Sequence, residues 1–266
     1  MKIYLKFFKN AFHSRWAYKF DAVFRCIGSL IEVFVQISVW TALYYFTNTE
    51  AIGSEAIGLQ DMISYAIIST GISILAGNSV IYTVDNKIKT GEIATDFIRP
   101  IHFQSYMLAT TLGSNLYDFI FRFLPLLVIF IPIYGLYIPK PETWIIFIIT
   151  LVNGVLINFL MAYILGLVGF WYLSIWHLGR FLSDFTRLLS GSFVPIWFFP
   201  NILATISLFL PFRLIYFVPI SIYLEKVTLS QGFVYILQQF GWIVSLYLLS
   251  RWVWNRGVDK LVVQGG

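Results

Sequence analysis

The sequence is poor in charge. Asp, Glu, Lys and Arg make up 12% of its 266 residues, roughly half the share of a soluble domain. With 59% hydrophobic residues spread along the whole chain, that excludes one soluble core under a charged shell. Cysteine is nearly missing. Cys26 alone excludes an intrachain disulfide, and His13, His102 and His177 are too scattered to suggest a zinc site. No G-x-x-x-x-G-K-[ST] occurs, so the chain has no P-loop to cradle ATP phosphates. H-E-x-x-H and G-x-S-x-G are also missing, which removes two hydrolase patterns. The first residues have no apolar run ending in a small-residue cleavage site, so they do not read as a secretory signal.

What is abundant is apolar length. The mean hydropathy is +0.79. A membrane-spanning helix needs about 20 mostly apolar residues, and runs at 22–46, 62–84, 106–136, 144–173, 176–195 and 232–254 supply them. The third is interrupted by Pro125 and Pro132. Aromatics are 19% of the chain, many near the ends of these runs, as an interfacial belt requires. The expected class is an all-α polytopic membrane protein forming one transmembrane domain over 1–266, with six transmembrane helices.

The net charge of +5 reads as membrane orientation rather than nucleic-acid binding, because cations collect on the cytoplasmic side. Lys2, Lys6, Lys9, Arg15, Lys19 and Arg25 precede or open the first span. Lys87, Lys89 and Arg99 lie two crossings later, and Arg251, Arg256 and Lys260 end the chain. The opposite loops hold mainly Lys140, Arg213 and Lys226, and the first of them carries Glu50, Glu55 and Asp61 with no cation. Six spans put both termini and the Lys87 to Arg99 loop in the cytoplasm.

Three segments sit outside this count. Residues 1–20 space Lys2, Lys6, Lys9 and His13 on one helical face and Leu5, Phe8, Phe12 and Trp16 on another, which suits an interfacial helix; a merely basic tail is the plainer alternative. At 203–222 the chain is apolar, yet Pro200, Pro211 and Pro219 break a straight helix. We read 196–228 as a re-entrant helical hairpin entering from outside, since broken backbone at membrane depth needs cover. Between spans two and three, "VDNKIKTGEIATDFIRP" is polar and short. Thr90 can cap a helix there, with Glu92 in its first turn. Ile93, Phe97 and Ile101 form an apolar face, Glu92, Thr95, Asp96 and Arg99 a polar one, and Pro100 ends the helix. These residues fit a docking element and a capped connector resting on the bilayer equally well.

A resemblance separates the two. Ile88, Gly91, Ile93, Phe97, Ile98, Arg99, Pro100 and Tyr106 match the I-x-x-G-x-[LI]-x-x-x-[LF]-[LI]-R-P block, with its following aromatic, of ABC-2 type transporter permeases. Leu188, Ser190, Gly191, Pro195, Phe199, Pro200 and Pro211 resemble that family's L-x-S-G-x-x-x-P-x-x-x-[FL]-P segment, which leads into extracellular re-entrant helices. The tail "NRGVDKLVVQGG" echoes a basic ending more weakly. The likeness covers nearly the whole chain and is nearest to the six-span subfamily without a fused ATPase. It implies that residues 85–105 form a cytoplasmic coupling helix gripped by a separate ATP-binding subunit. Lys89, Glu92, Asp96 and Arg99 would be the contact charges, Phe97 and Ile98 the anchors. It also implies two ATPase copies that bind ATP and Mg, a second permease that is identical or related, no cofactor in this chain, and a bacterial inner-membrane location. The implied activity is export of a hydrophobic or amphiphilic substrate, such as a drug, lipid, peptide or glycan.

Ionisable residues inside spans are costly and mark function or buried pairs. His177, Arg180, Asp184, Arg187 and Gly191 make one stripe, with Ser183 and Ser190 beside it. They read either as the wall of a translocation path or as a structural pair below headgroup contacts. Arg180 and Asp184, and Asp184 and Arg187, can pair within one helix, as can Asp118 and Arg122. Glu32 has no local partner. Asn153, Asn158, Ala162, Gly166 and Gly169 suit helix packing. A membrane-embedded lipid-modifying enzyme, using Asp118, His177 and Asp184, and an ATP-independent channel or scaffold are the other readings.

Overall fold

The computed structural model describes residues 2–47, 51–52, 57–172 and 174–264. Glu50 and Glu55 lie outside the described residues. Among the described residues, five helical stretches are long and apolar enough to cross a membrane: Phe20–Phe46, Leu59–Lys89, Phe103–Tyr134, Pro141–Phe170 and Leu229–Lys260. A bent pair, Asn201–Leu208 and Phe212–Tyr223, makes up to six if counted as one span, and its halves meet at 79°.

The chain opens with α1 (Lys2–Ser14), and α2 (Lys19–Thr47) is the first long helix. Phe8 and Phe12 of the expected apolar stripe are partly covered, together with Tyr4, Phe7 and Ala11, whereas Leu5 stays exposed and Trp16, half exposed, sets its ring 5.1 Å from that of Phe121. The α1 helix lies along α6 (Phe103–Asp118). The Phe7 ring sits 4.6 Å from that of Tyr106, and the Phe12 ring 5.5 Å from that of Tyr117. A two-residue β1 (Ala51–Ile52) pairs antiparallel with β2 (Ile57–Gly58) at the far end of α2.

The second span is two helices, α3 (Leu59–Leu75) and α4 (Ser79–Lys89). The break between them leaves backbone carbonyls without helical partners, and two asparagines from neighbouring helices supply donors. Asn115 Nδ2 donates to the Leu75 carbonyl at 2.8 Å. Asn158 Nδ2 donates to the Ala76 carbonyl and, at 2.8 Å, to Asn78 Oδ1. The third span joins α6 to α7 (Leu124–Tyr134) through a π turn at Phe119–Phe123. Pro125 lacks an N–H and its ring crowds the carbonyl four residues back, and the wider turn accommodates both. Pro132 lies inside α7 without ending it.

The fourth span is α8 (Pro141–Leu167), at the centre of the largest apolar cluster, where Ile157, Leu160 and Leu167 meet Ile81, Val84 and Val218. A Cβ on Gly166 would stand 2.9 Å from that of Val84. Its bare Cα lets α8 and α4 touch, the packing that membrane helices use in place of a hydrophobic drive. A second cluster joins α2, α3 and α7 through Val33, Ile37, Ile67 and Leu126.

The expected fifth span, 176–195, is helical only as α9 (Trp176–Leu189). Those 14 residues reach about 21 Å, short of the apolar thickness of a bilayer. α9 itself runs along α4, and the irregular backbone beyond it runs along α3. Gly179 lies against Tyr82, and Asn78 Nδ2 donates to Ser183 Oγ at 3.3 Å. Higher up, Ser69 Oγ and Tyr65 Oη each donate at 2.6 Å, to the carbonyls of Ser192 and Gly191. The turn at Gly191 (φ +78) and Pro195 stop the helix.

From Phe199 and Pro200 the chain enters α10 (Asn201–Leu208). Pro211 opens a 3-10 turn, and α11 (Phe217–Tyr223) returns. At the bottom of this bend the Ile215 carbonyl abuts Gly154, halfway along α8. Its far limb ends where Tyr223 Oη donates to the Tyr137 carbonyl at 2.7 Å. There Glu225, at φ 55, accepts from Tyr137 Oη (2.7 Å), Lys140 N (2.8 Å) and Thr143 Oγ1 (3.0 Å). The Tyr137 hydroxyl comes first among the donors that hold the Glu225 carboxyl below its ordinary pKa. The same bond raises the Tyr137 phenol to about 12. Lys226 closes the corner on Asp61 at 2.7 Å. The last helix, α12 (Leu229–Gln264), packs along α8.

Candidate functional site

At the end of the molecule opposite Glu225, α5 (Glu92–Ile98) stands between the second and third spans. Thr90 does not cap it. Thr90 ends α4, its hydroxyl bonded to the Asn86 carbonyl at 2.9 Å. The N-cap is Gly91, at φ +76 with no side-chain cap bond. A left-handed residue ends one helix and redirects the chain into the next, and only glycine holds that conformation at little cost.

The helix is clamped by a carboxylate. Asp96, expected on the polar face, is turned inward with a side chain only 2% exposed. Lys87 Nζ of α4 lies 2.8 Å from it and Arg99 Nη1 3.1 Å. Lys87 also reaches Glu92 at 3.8 Å. Lys89 pairs with Asp85 along α4. Ile93 is the buried apolar anchor, Phe97 is half-buried with its ring 5.3 Å from that of Trp254, and Ile98 is 86% exposed. Pro100 follows Arg99, whose extended backbone (ψ 136) ends the helix. The outer surface of α5 is therefore Glu92, Thr95, Ile98 and Arg99. An apolar tip ringed by opposite charges, on a helix fixed through its base, can transmit force from a docked protein.

A polar recess of about 250 Å³ opens to the surface between α2, the α3–α4 break and α9. Ser69, Thr70, Asn78, Ser183 and Thr186 line it, with Tyr216 and the Glu32–Arg187 pair. Arg187 Nη2 and Glu32 Oε1 are 2.9 Å apart, so the partner that Glu32 lacked in the sequence comes from another span. Gln36 Nε2 donates to the Phe193 carbonyl at 3.1 Å. Thr186 is 5% exposed and its hydroxyl has no partner among the described residues.

Of the expected path residues, Arg187 borders this recess and Ser190 and Gly191 build the turn above it; Ser190 carbonyl accepts from Phe217 N at 3.1 Å. Arg180 and Asp184 do not line it. Arg180 lies over the Trp176 ring at 5.0 Å, and Asp184 is exposed with no ion pair among the described residues. The helix-internal pairs expected for Asp184 are not formed. Nor is the one between Asp118 and Arg122: Asp118 faces Arg25 at 3.3 Å and Arg122 bonds Ser29 Oγ at 2.8 Å, so both partners come from α2. Sequence reasoning missed the recess itself, whose Ser and Thr residues look like ordinary packing in each separate helix. The one signal available was the pair of Gly77 and Asn78 inside an apolar run.

A many-helix membrane protein with a clamped helix at one end and a polar recess between its helices has the form of a transporter's membrane component. The chain matches the family described as ABC-2 family transporter protein over residues 30–265, and it belongs to that family. It is a multi-pass membrane protein and a permease component. Comparison with curated proteins and with solved structures gave no match.

Proposed function

We propose that this chain is the permease subunit of an ATP-driven exporter, and that α5 is its coupling helix. The observation that carries this reading is the Lys87, Asp96 and Arg99 clamp beneath an exposed Ile98 and Glu92. A connector resting on the bilayer needs no charged brace, whereas a helix pushed by a partner does. ABC-2 permeases work with an ATP-binding subunit. Here two such subunits bind ATP and Mg and close on α5 from the cytoplasm, and a second permease, identical or related, completes the path. The chain itself performs no hydrolysis.

The charge distribution supports an orientation in a bacterial inner membrane with both termini and α5 cytoplasmic. The bend between Asn201–Leu208 and Phe212–Tyr223 supports a re-entrant hairpin entering from outside. The position of α1 on α6 supports a helix at the cytoplasmic interface. The recess by the α3–α4 break supports a site for the polar group of an amphiphilic substrate, as interrupted helices do in other transporters. The apolar surroundings suit its tail.

The test is co-purification of the full-length permease with a candidate ATP-binding subunit in mild detergent. The wild type is expected to carry the ATPase, and a Glu92→Lys, Ile98→Ser double variant is expected to lose it with an unchanged melting temperature. Equal capture by both proteins overturns the assignment of α5, and so does capture by neither.

A further inference from the structure

A cleft of about 480 Å³ lies between the start of α6, α8 and α12, with Asp96 and Phe97 of α5 at one end. No residue lines both it and the polar recess. We propose that it holds the phosphate and one acyl chain of an anionic phospholipid from the leaflet on the α5 side.

The cleft is amphiphilic along its length. Leu108, Leu156, Phe159, Leu160 and Ile243 make the deep part apolar. Arg251 and His102 stand at the α5 end. Ile243 and Trp254, the limits of the cleft on α12, are eleven residues apart, about 16 Å of helix. That geometry suits a chain below a headgroup and wastes its walls on a free ion.

The charge argues for the headgroup's sign. Arg251 forms no ion pair among the described residues. Asp96, the one carboxylate on the cleft wall, is already held by Lys87 and Arg99. The mouth therefore keeps an uncompensated guanidinium, whose planar fork matches a phosphate. Access is lateral. Tyr247 lines the cleft and is 48% exposed, and beside it Leu248 and Trp252 turn outward, as a surface against acyl chains does.

The site touches α5. Phe97 lines the cleft, and its ring packs on that of Trp254, which stacks in turn on Phe103 at 4.9 Å. A bound lipid would brace the inner side of α5 and make its stiffness depend on membrane charge. That consequence rests on the coupling role given to α5 above; the binding does not.

The experiment needs no ATPase, so its result is independent of the co-purification test. Full-length protein is released from vesicles of equal phosphatidylglycerol and phosphatidylcholine, and retained lipids are counted by native mass spectrometry. The wild type should keep one phosphatidylglycerol per chain in clear preference. Arg251→Gln should lower that preference about ten-fold, the scale of one charge-assisted hydrogen bond. Leu160→Trp should fill the cleft and release the lipid. A photoreactive phosphatidylglycerol, applied to the unaltered protein, should label the segments around Leu156 and Tyr247. Equal retention of both lipids by the wild type, or labelling confined elsewhere, overturns the proposal. Displacement by inorganic phosphate alone overturns it in favour of an ion site. A change of oligomeric mass in Leu160→Trp with lipid retention intact overturns it in favour of a second copy.

Discussion

Single side chains decide how α5 is held. Asp96 joins Lys87 to Arg99 from an almost closed position, so Asp96→Asn should lower stability by about 2 kcal/mol, the scale of charge-assisted hydrogen bonds lost beside a buried cation. Thermal melting in detergent measures it, and an unchanged melting temperature refutes the clamp. Glu225 gives a pH signature at the other end. Its carboxyl is held below its ordinary pKa by Tyr137, Lys140 and Thr143, so its contribution is present above the ordinary carboxylate range and is lost as pH falls through the depressed value. Tyr137, raised to about 12, contributes below its ordinary pKa and loses that contribution as pH rises toward 12. Melting temperature should fall at both extremes in the wild type, and Glu225→Gln should flatten the acid side. The sequence displayed every one of these charged residues. It did not display their partners, because Asp118 meets Arg25 and Glu32 meets Arg187 only after spans far apart in the chain have been set side by side.

Elements were legible where the bilayer imposes a length. The apolar runs at 22–46, 62–84, 106–136, 144–173 and 232–254 coincide with the long helices, since every backbone group in hydrocarbon must be satisfied within its own helix. Interruptions were harder to read. Pro125 marked an interruption of the third span, but Thr90 was read as the cap of α5 where Gly91 stands; the α3–α4 break has no proline, and its carbonyls are satisfied by Asn115 and Asn158 from other helices. Asn158→Leu should therefore cost about 1–3 kcal/mol by leaving buried polar groups at the break unpaired. Hydrogen exchange should show faster opening around residues 76–78 than around the outer half of α3. Uniform protection in the variant would mean that the break is held by other means.

At the scale of the molecule, α5 and Glu225 occupy opposite ends, and the positive-inside rule gives them sides. In a Cys26→Ser background, a membrane-impermeant maleimide should label Ser230→Cys in intact cells and Thr95→Cys only after the membrane is opened. The reverse pattern inverts the orientation, and labelling of both from outside refutes a transmembrane arrangement of these ends. That assignment of sides is a proposal read from the distribution of charge along the chain. The polar recess escaped the same reading, because it is assembled from α2, α3, the α3–α4 break and α9.

The break at residues 76–78 has a mechanical consequence. It divides the second span into a fixed post, α3, and a lever arm, α4, whose 11 residues measure about 16 Å. The Asp96 clamp is the handle at the free end of that arm, and the asparagine-held joint is its fulcrum. On the coupling role proposed for α5, a stroke delivered there would turn α4 about residues 76–78, which lie on the wall of the recess, and would change the shape of the space beside α9 before it reached α3.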